Sequence, residues 1–304
     1  MTTNRLPAAT RDGGFALYDQ FGAFGAWLNP ALGDQARIHY APELEELGFG
    51  TIWLGIGADP VGDLSLVEGV LDATQTVTVA TAVINMWQDR AEDVATHYHR
   101  LADTFGARLV LGVGLGHPES TQTYRRPYTH MVGYVDTLRS SGVPAEKIVV
   151  AALGQKTLAL AGARTLGAHP YNTTAEHTRF ARDIMGPSAL LAVEHKVVVT
   201  EDAEYARSIG RTMIANPYLR LRNYTSNLVR HGFTEEDVAG SGSDRLIDAM
   251  VLHGTPTRIF DQLADHVVAG ANHVAIQVLT EQHGASPMAE YRALAKYLPA
   301  RTSG

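Results

Sequence analysis

Cysteine is absent from all 304 residues. That excludes disulfides, thiolate zinc sites and a cysteine nucleophile, and it suits a reducing compartment. Positive charge is also scarce: 25 Lys and Arg stand against 32 Asp and Glu, a formal net charge of −7. No basic run occurs, so a nucleic-acid partner, which needs clustered cations for its phosphates, is not expected. No stretch reaches the roughly 18 apolar residues of a membrane span. Residues 1–14 carry Arg5, Arg11 and Asp12 and lack the apolar heart of a signal peptide. There is no HExxH and no Gly-x-Ser-x-Gly, and His97 and His99 fall on different helix faces. Zinc and a hydrolase triad are therefore not expected. These absences together predict a cytoplasmic enzyme or binding protein that handles a small molecule.

What is present is alternation. Short Val-, Ile- and Leu-rich runs predict strands at 15–19, 51–56, 77–84, 108–113, 147–153, 168–171, 192–199 and 273–279. Most are continuously apolar, the pattern of parallel strands covered on both faces. Longer amphipathic segments lie between them. In 90–105, residues Ala91, Val94, Ala95, Tyr98, Leu101, Ala102 and Phe105 fall on one helical stripe. The segment 34–47 stops at Gly48. Thr255-Pro256 offers a hydroxyl cap followed by proline in the first turn, and that helix ends at Gly270. Eight strand-then-helix units with few spare residues predict a (β/α)₈ TIM barrel. Residues 1–14 read as a tail and 15–304 as one barrel domain. Helical decoration at 202–232 and 235–254 precedes the last strand.

In such barrels chemistry sits at the C-terminal ends of the strands. The run Gly112-Val113-Gly114-Leu115-Gly116-His117 would leave backbone bare for a flat ligand, with His117 at the rim as acid or base. The competing reading is a glycine-softened strand end with a surface histidine. Gly154-Gln155-Lys156-Thr157 joins free helix-start N–H groups to a lysine, which favours phosphate; an ordinary turn is the alternative. Asn85 closes an apolar strand and either reaches into the mouth or starts a turn. In Ala168-His169-Pro170-Tyr171-Asn172-Thr173-Thr174, the proline predicts a short or bulged strand. Tyr171 there packs on a ligand ring or simply packs. Asp19 closes the first expected strand.

The run Leu44-Glu45-Glu46-Leu47-Gly48-Phe49-Gly50-Thr51-Ile52-Trp53 resembles the approach to the second strand of luciferase-like enzymes. Residues 79–83, 108–116 and 197–202 resemble their third, fourth and seventh strands. Leu252-His253-Gly254-Thr255-Pro256 and Ala269-Gly270-Ala271-Asn272-His273-Val274 resemble their close. The resemblance is nearest to the branch using the deazaflavin coenzyme F420. It implies a barrel, often a homodimer, that moves a hydride between the cofactor and a small organic substrate. The cofactor ring would lie against a bulge in the third strand, at Ala82, Val83 and Asn85, with a non-proline cis peptide at Ala82-Val83, and over Gly114 and Gly116. Its phosphate would lie near Gly154, Gln155, Lys156 and Thr157 and near Gly167, Ala168, His169 and Tyr171. His117 stands where some relatives carry an acidic proton donor, and Asp19 and Asn85 are lesser catalytic candidates. Several relatives place Asp or His at the second strand's exit, where this chain has Ile56 and Gly57, with Asp59 beyond. An FMN-dependent monooxygenase and a non-catalytic cofactor-binding member of the fold are the alternatives.

Overall fold

The computed structural model describes residues 20–56, 60–117 and 125–299. Its strands are β1 (Phe24–Leu28), β2 (Thr51–Gly55), β3 (Thr78–Ala82), β4 (Ile84–Asn85), β5 (Leu109–Gly114), β6 (Ile148–Val150), β7 (Gly167–Ala168), β8 (Leu190–Val198), β9 (Val251–His253) and β10 (His273–Val278). All pairings are parallel. They run β10-β1-β2-β3-β5-β6-β7-β8, and β8 pairs back onto β10, which closes the sheet. With β4 continuing β3, and β9 set aside, eight strands make the expected (β/α)₈ barrel.

The first strand corrects the sequence reading. The strand between β10 and β2 is Phe24–Leu28, and the expected strand at 15–19 lies outside the described residues. Gly25 within β1 is a close-approach residue. A Cβ there would lie 2.7 Å from both His273 Nε2 and Thr51 O. The seventh-strand reading of 192–199 starts two residues late, since β8 begins at Leu190.

The strands separate two packing shells. Outward side chains such as Leu54, Leu111, Val193 and Ile276 meet the helices in an aliphatic core. Inward ones include Phe21, Trp53, Ala80, Val110, Val149, Ala192 and Ala275. The helix Ala91–Phe105 turns Ala91, Val94, Ala95, Tyr98 and Leu101 inward, as its stripe predicts. Thr255 caps the helix Pro256–Val268, its Oγ1 accepting from Arg258 N–H at 3.3 Å. No helix among the described residues is long and apolar enough to cross a membrane.

Between β8 and that capped helix lies the insertion. It holds helices Ala203–Ala215, Arg222–Arg230, Glu235–Val238 and Asp244–Met250, then β9. Its own apolar cluster includes Ile214, Leu228, Phe233 and Ile247, and meets the barrel at Val198 and Leu279. β7 pairs only with Leu190 and Leu191 of β8, whereas β9 pairs with Lys196, Val197 and Val198. The insertion thus returns to the C-terminal end of the barrel wall.

Candidate functional site

The barrel interior is polar and aromatic below the mouth. Trp53 Nε1–H donates to His273 Nε2 at 2.9 Å, and His273 Nδ1–H donates to Gly22 O at 2.7 Å. Trp53 stacks on His169 with centroids 4.0 Å apart and planes 4° apart. Burial holds both imidazoles neutral, His169 at about 3 and His273 at about 4.

The third strand breaks as expected. The peptide Ala82-Val83 is cis. From Ala80 to Ile84 this strand advances four residues while its partner advances three, Val110 to Val113, so one residue bulges. Thr81 bridges the gap: its Oγ1 accepts from Gly112 N–H at 2.8 Å and donates to Gly112 O at 2.9 Å. This changes the reason for the glycines. A Cβ on Gly112 would lie 1.9 Å from Thr81 O, and one on Gly114 would lie 2.7 Å from Val83 Cγ2. Both positions are glycine because the bulge packs onto them, not because they are bare. Gly116 is exposed, with Asn85 Nδ2 3.2 Å from where its Cβ would be. Asn85 does start a turn, since its Oδ1 accepts from Trp87 N–H at 3.0 Å.

At the β6 exit, Gly154 precedes the helix Gln155–Arg164, and no side chain caps it. Gln155 and Lys156 are exposed there, and Thr157 Oγ1 donates to Gly154 O at 2.9 Å. The neighbouring helix Ala175–Met185 packs against this one and also starts without a side-chain cap. Just ahead of the second start, Asn172 Nδ2 and Thr173 Oγ1 are buried with no partner among the described residues. The open N–H groups after Gly154 and the unpaired polar atoms suit an anion, while at the second start the Glu176 carboxylate already accepts its own backbone N–H.

Other expected phosphate neighbours sit elsewhere. Gly167 and Ala168 are buried strand residues, and the strand stops there because Pro170 has no N–H to pair. His169 is a barrel-interior ring, 1% exposed, whose Nδ1–H donates to Ala192 O at 2.8 Å. Tyr171 is built into the wall. Its ring lies 5.5 Å from Trp27 and 5.5 Å from Tyr218, with Lys196 Nζ 3.8 Å above it. Asp19 and Asp59 lie outside the described residues, and the exit of β1 is Asn29, beyond Asp19 in the chain.

Lys196 and Glu194 were not legible as site residues. They face inward on β8, 0% and 1% exposed by side chain, 3.0 Å apart. Lys196 also donates to Asn172 Oδ1, and Asn172 N–H donates to Glu194 Oε2 at 3.1 Å. Burial pushes the Glu194 carboxyl up and the Lys196 ammonium down, and each opposes the other's shift. The pair holds the β7 exit turn, where Asn172 has φ 55°. Above it an aromatic row crosses the mouth. Tyr218 OH donates to Tyr171 OH at 3.3 Å, which donates to Gln277 Oε1 at 3.0 Å. Tyr218 meets Tyr224 edge-on at 5.1 Å, and Tyr224 lies 5.5 Å from half-buried His117. Tyr218 and Tyr224 come from the insertion, so the barrel alone does not finish this site.

Solved structures share this architecture from end to end. An F420-dependent secondary alcohol dehydrogenase in complex with an F420-acetone adduct aligns with a TM-score of 0.69 at 14% identity, covering 93% of this chain and 99% of that one. The chain has the luciferase-like barrel fold. The coenzyme F420 dependent tetrahydromethanopterin reductase from Methanopyrus kandleri shares that fold at a TM-score of 0.68 and 12% identity, over 90% and 97% of the two chains. So does the oxygenating constituent of 3,6-diketocamphane monooxygenase from the CAM plasmid of Pseudomonas putida, in complex with FMN, at 0.66 and 14%, over 91% and 96%. No family model matches the chain. No curated protein matches it either. Within the luciferase-like fold, the β3–β4 bulge and the open helix starts sit at the C-terminal strand ends.

Proposed function

We propose that this chain is an F420-dependent oxidoreductase acting on a small organic substrate. The observation that carries the reading is the pair of uncapped helix starts at Gly154–Thr157 and Thr174, with buried Asn172 Nδ2 and Thr173 Oγ1 unpartnered just ahead of the second. That arrangement fits the phosphate end of a flavin-type cofactor. Lys156 would add an opposite charge at its edge. The bulge at Ala82, Val83 and Asn85 and the exposed Gly116 would flank the ring. When bound, the deazaflavin supplies hydride transfer. His117 stands at the rim of the same opening and holds or delivers a proton there, oriented by packing against Tyr224. Tyr171, Tyr218 and Tyr224 exclude water from the mouth and bring no charge of their own, because burial raises all three hydroxyls above their ordinary range. The fold shared with both F420 and FMN proteins supports a flavin-type cofactor in general.

Titration with coenzyme F420 and, separately, with FMN, followed by cofactor fluorescence, tests the reading. Saturable binding of F420 alone is the expected result. Preference for FMN, with oxygen consumption by the reduced form, would replace it with a monooxygenase. Binding of neither would leave a barrel whose mouth serves another ligand.

A further inference from the structure

We propose that His177 is a positioning residue for the anion that the helix start at Gly154 takes: it ties the first turn of one helix to the chain that enters the other. The exit of β6 leaves the sheet at Ala151, whose N–H donates to Val113 O at 2.9 Å. Leu153 and Gly154 lie beyond that strand pairing, just before the helix Gln155–Arg164. His177 meets them from the side. It stands in the first turn of the helix Ala175–Met185, and its Nε2–H donates to Leu153 O at 3.0 Å. A carbonyl only accepts, so Nε2 carries the proton. Burial holds the ring neutral, at about 4. The bond joins the residue directly before Gly154 to the neighbouring helix, and so fixes where the open N–H groups of the Gly154 start point. Groups whose direction is set beforehand bind more tightly than groups that must be ordered by the ligand.

The insertion closes over the same ring. His231, which follows the helix Arg222–Arg230, meets His177 edge-on with centroids 5.1 Å apart. Phe180 lies 6.0 Å from His177 and 5.0 Å from His231. His177 is fully buried and His231 half-buried. His177 thus acts through the backbone and needs no contact with the anion. Its neighbour Glu176 is exposed, and that carboxylate would repel a second negative charge. The anion therefore belongs to the Gly154 start, where Lys156 is also exposed, and the second helix supports that start through His177. That the anion is the cofactor's phosphate rests on the reading above.

Three probes test this: F420 and the same deazaflavin without its phosphate-bearing arm, both followed by fluorescence, and inorganic phosphate followed by phosphorus NMR. His177→Phe keeps a ring against His231 and Phe180 but offers Leu153 O no N–H. It should weaken F420 and inorganic phosphate about tenfold and leave the phosphate-free deazaflavin within about twofold. His177→Gln, whose amide N–H can reach the same carbonyl, should restore F420 to within about threefold of the wild type. A loss shared equally by F420 and the phosphate-free compound would make His177 a general packing residue and overturns the role. Unchanged F420 binding in folded His177→Phe, or a Gln variant no better than the Phe one, overturns it too. Should His177→Phe not fold, His231→Ala loosens the ring from the half-buried side, with an expected loss of about threefold in F420 and none in the phosphate-free compound; equal losses there overturn the role. The two proposals stay apart. Phosphate binding that needs His177, in a protein that takes no F420, rejects the cofactor reading alone. F420 binding that ignores His177 rejects this role alone, and a wild type that takes neither F420 nor phosphate rejects both.

Discussion

The lower barrel and the barrel mouth treat polar atoms differently. Below, Trp53 answers His273, His273 answers Gly22, Thr81 bonds twice to Gly112, and the Nε2 acceptor of His169 is left over. Above, Trp27 Nε1, Asn172 Nδ2, Thr173 Oγ1 and Gln277 Nε2 are all buried without partners among the described residues. Buried polar groups are normally paired, so a ligand that met these four atoms would gain hydrogen bonds that the lower barrel already makes for itself.

The largest expected effect lies at the boundary between them. Lys196→Ala leaves Glu194 buried without its counter-charge and should cost about 3–5 kcal/mol of stability in denaturant unfolding. The paired Glu194→Leu, Lys196→Met variant should recover most of that; if it does not, the β7 turn depends on the charges themselves. Next, His117→Ala should cut turnover at least about 10²-fold with an unchanged melting temperature, and near-normal kinetics would remove it from the mechanism. Third comes pH. His169, His177, His266 and His273 are held neutral by burial at about 3, 4, 4 and 4. The unfolded chain takes up these protons near 6.5 and the folded chain does not, so their contribution is full above about 6.5 and is lost as pH falls toward 4. Each adds up to about 1.4 kcal/mol per pH unit in that window, and melting temperatures that stay flat from pH 7 to 4.5 would contradict it. Smallest, Lys156→Ala should weaken cofactor binding a few-fold, roughly 0.5–1 kcal/mol, with a reduced salt dependence and no change in melting.

Much of the lower barrel was legible and much of the mouth was not. Continuous apolar runs gave β2, β5, β6 and β10 because strands buried on both faces leave no room for polar alternation. The strand at 24–28 was not read as one; its Gly25 answers to His273, 248 positions further along, which nothing local shows. The expectation that Gly112 and Gly114 lie bare failed for the same reason: what fills their space comes from Thr81 and Val83 on another strand. Glu194 and Lys196 sat in plain view inside an apolar run. Two charges spaced i, i+2 on a strand share one face, a signal that could have marked them as a buried pair. Tyr218 and Tyr224 had no such signal, since nothing local tells a helix which opening it will fold across.

Because Ile214, Leu228, Phe233 and Ile247 pack among themselves, the segment 199–255 carries its own support. It also delivers Tyr218 and Tyr224 to the mouth. Diversification can therefore proceed by exchanging this one cassette, with new wall residues arriving on a pre-supported frame while the hydrogen-bonded barrel beneath is inherited untouched.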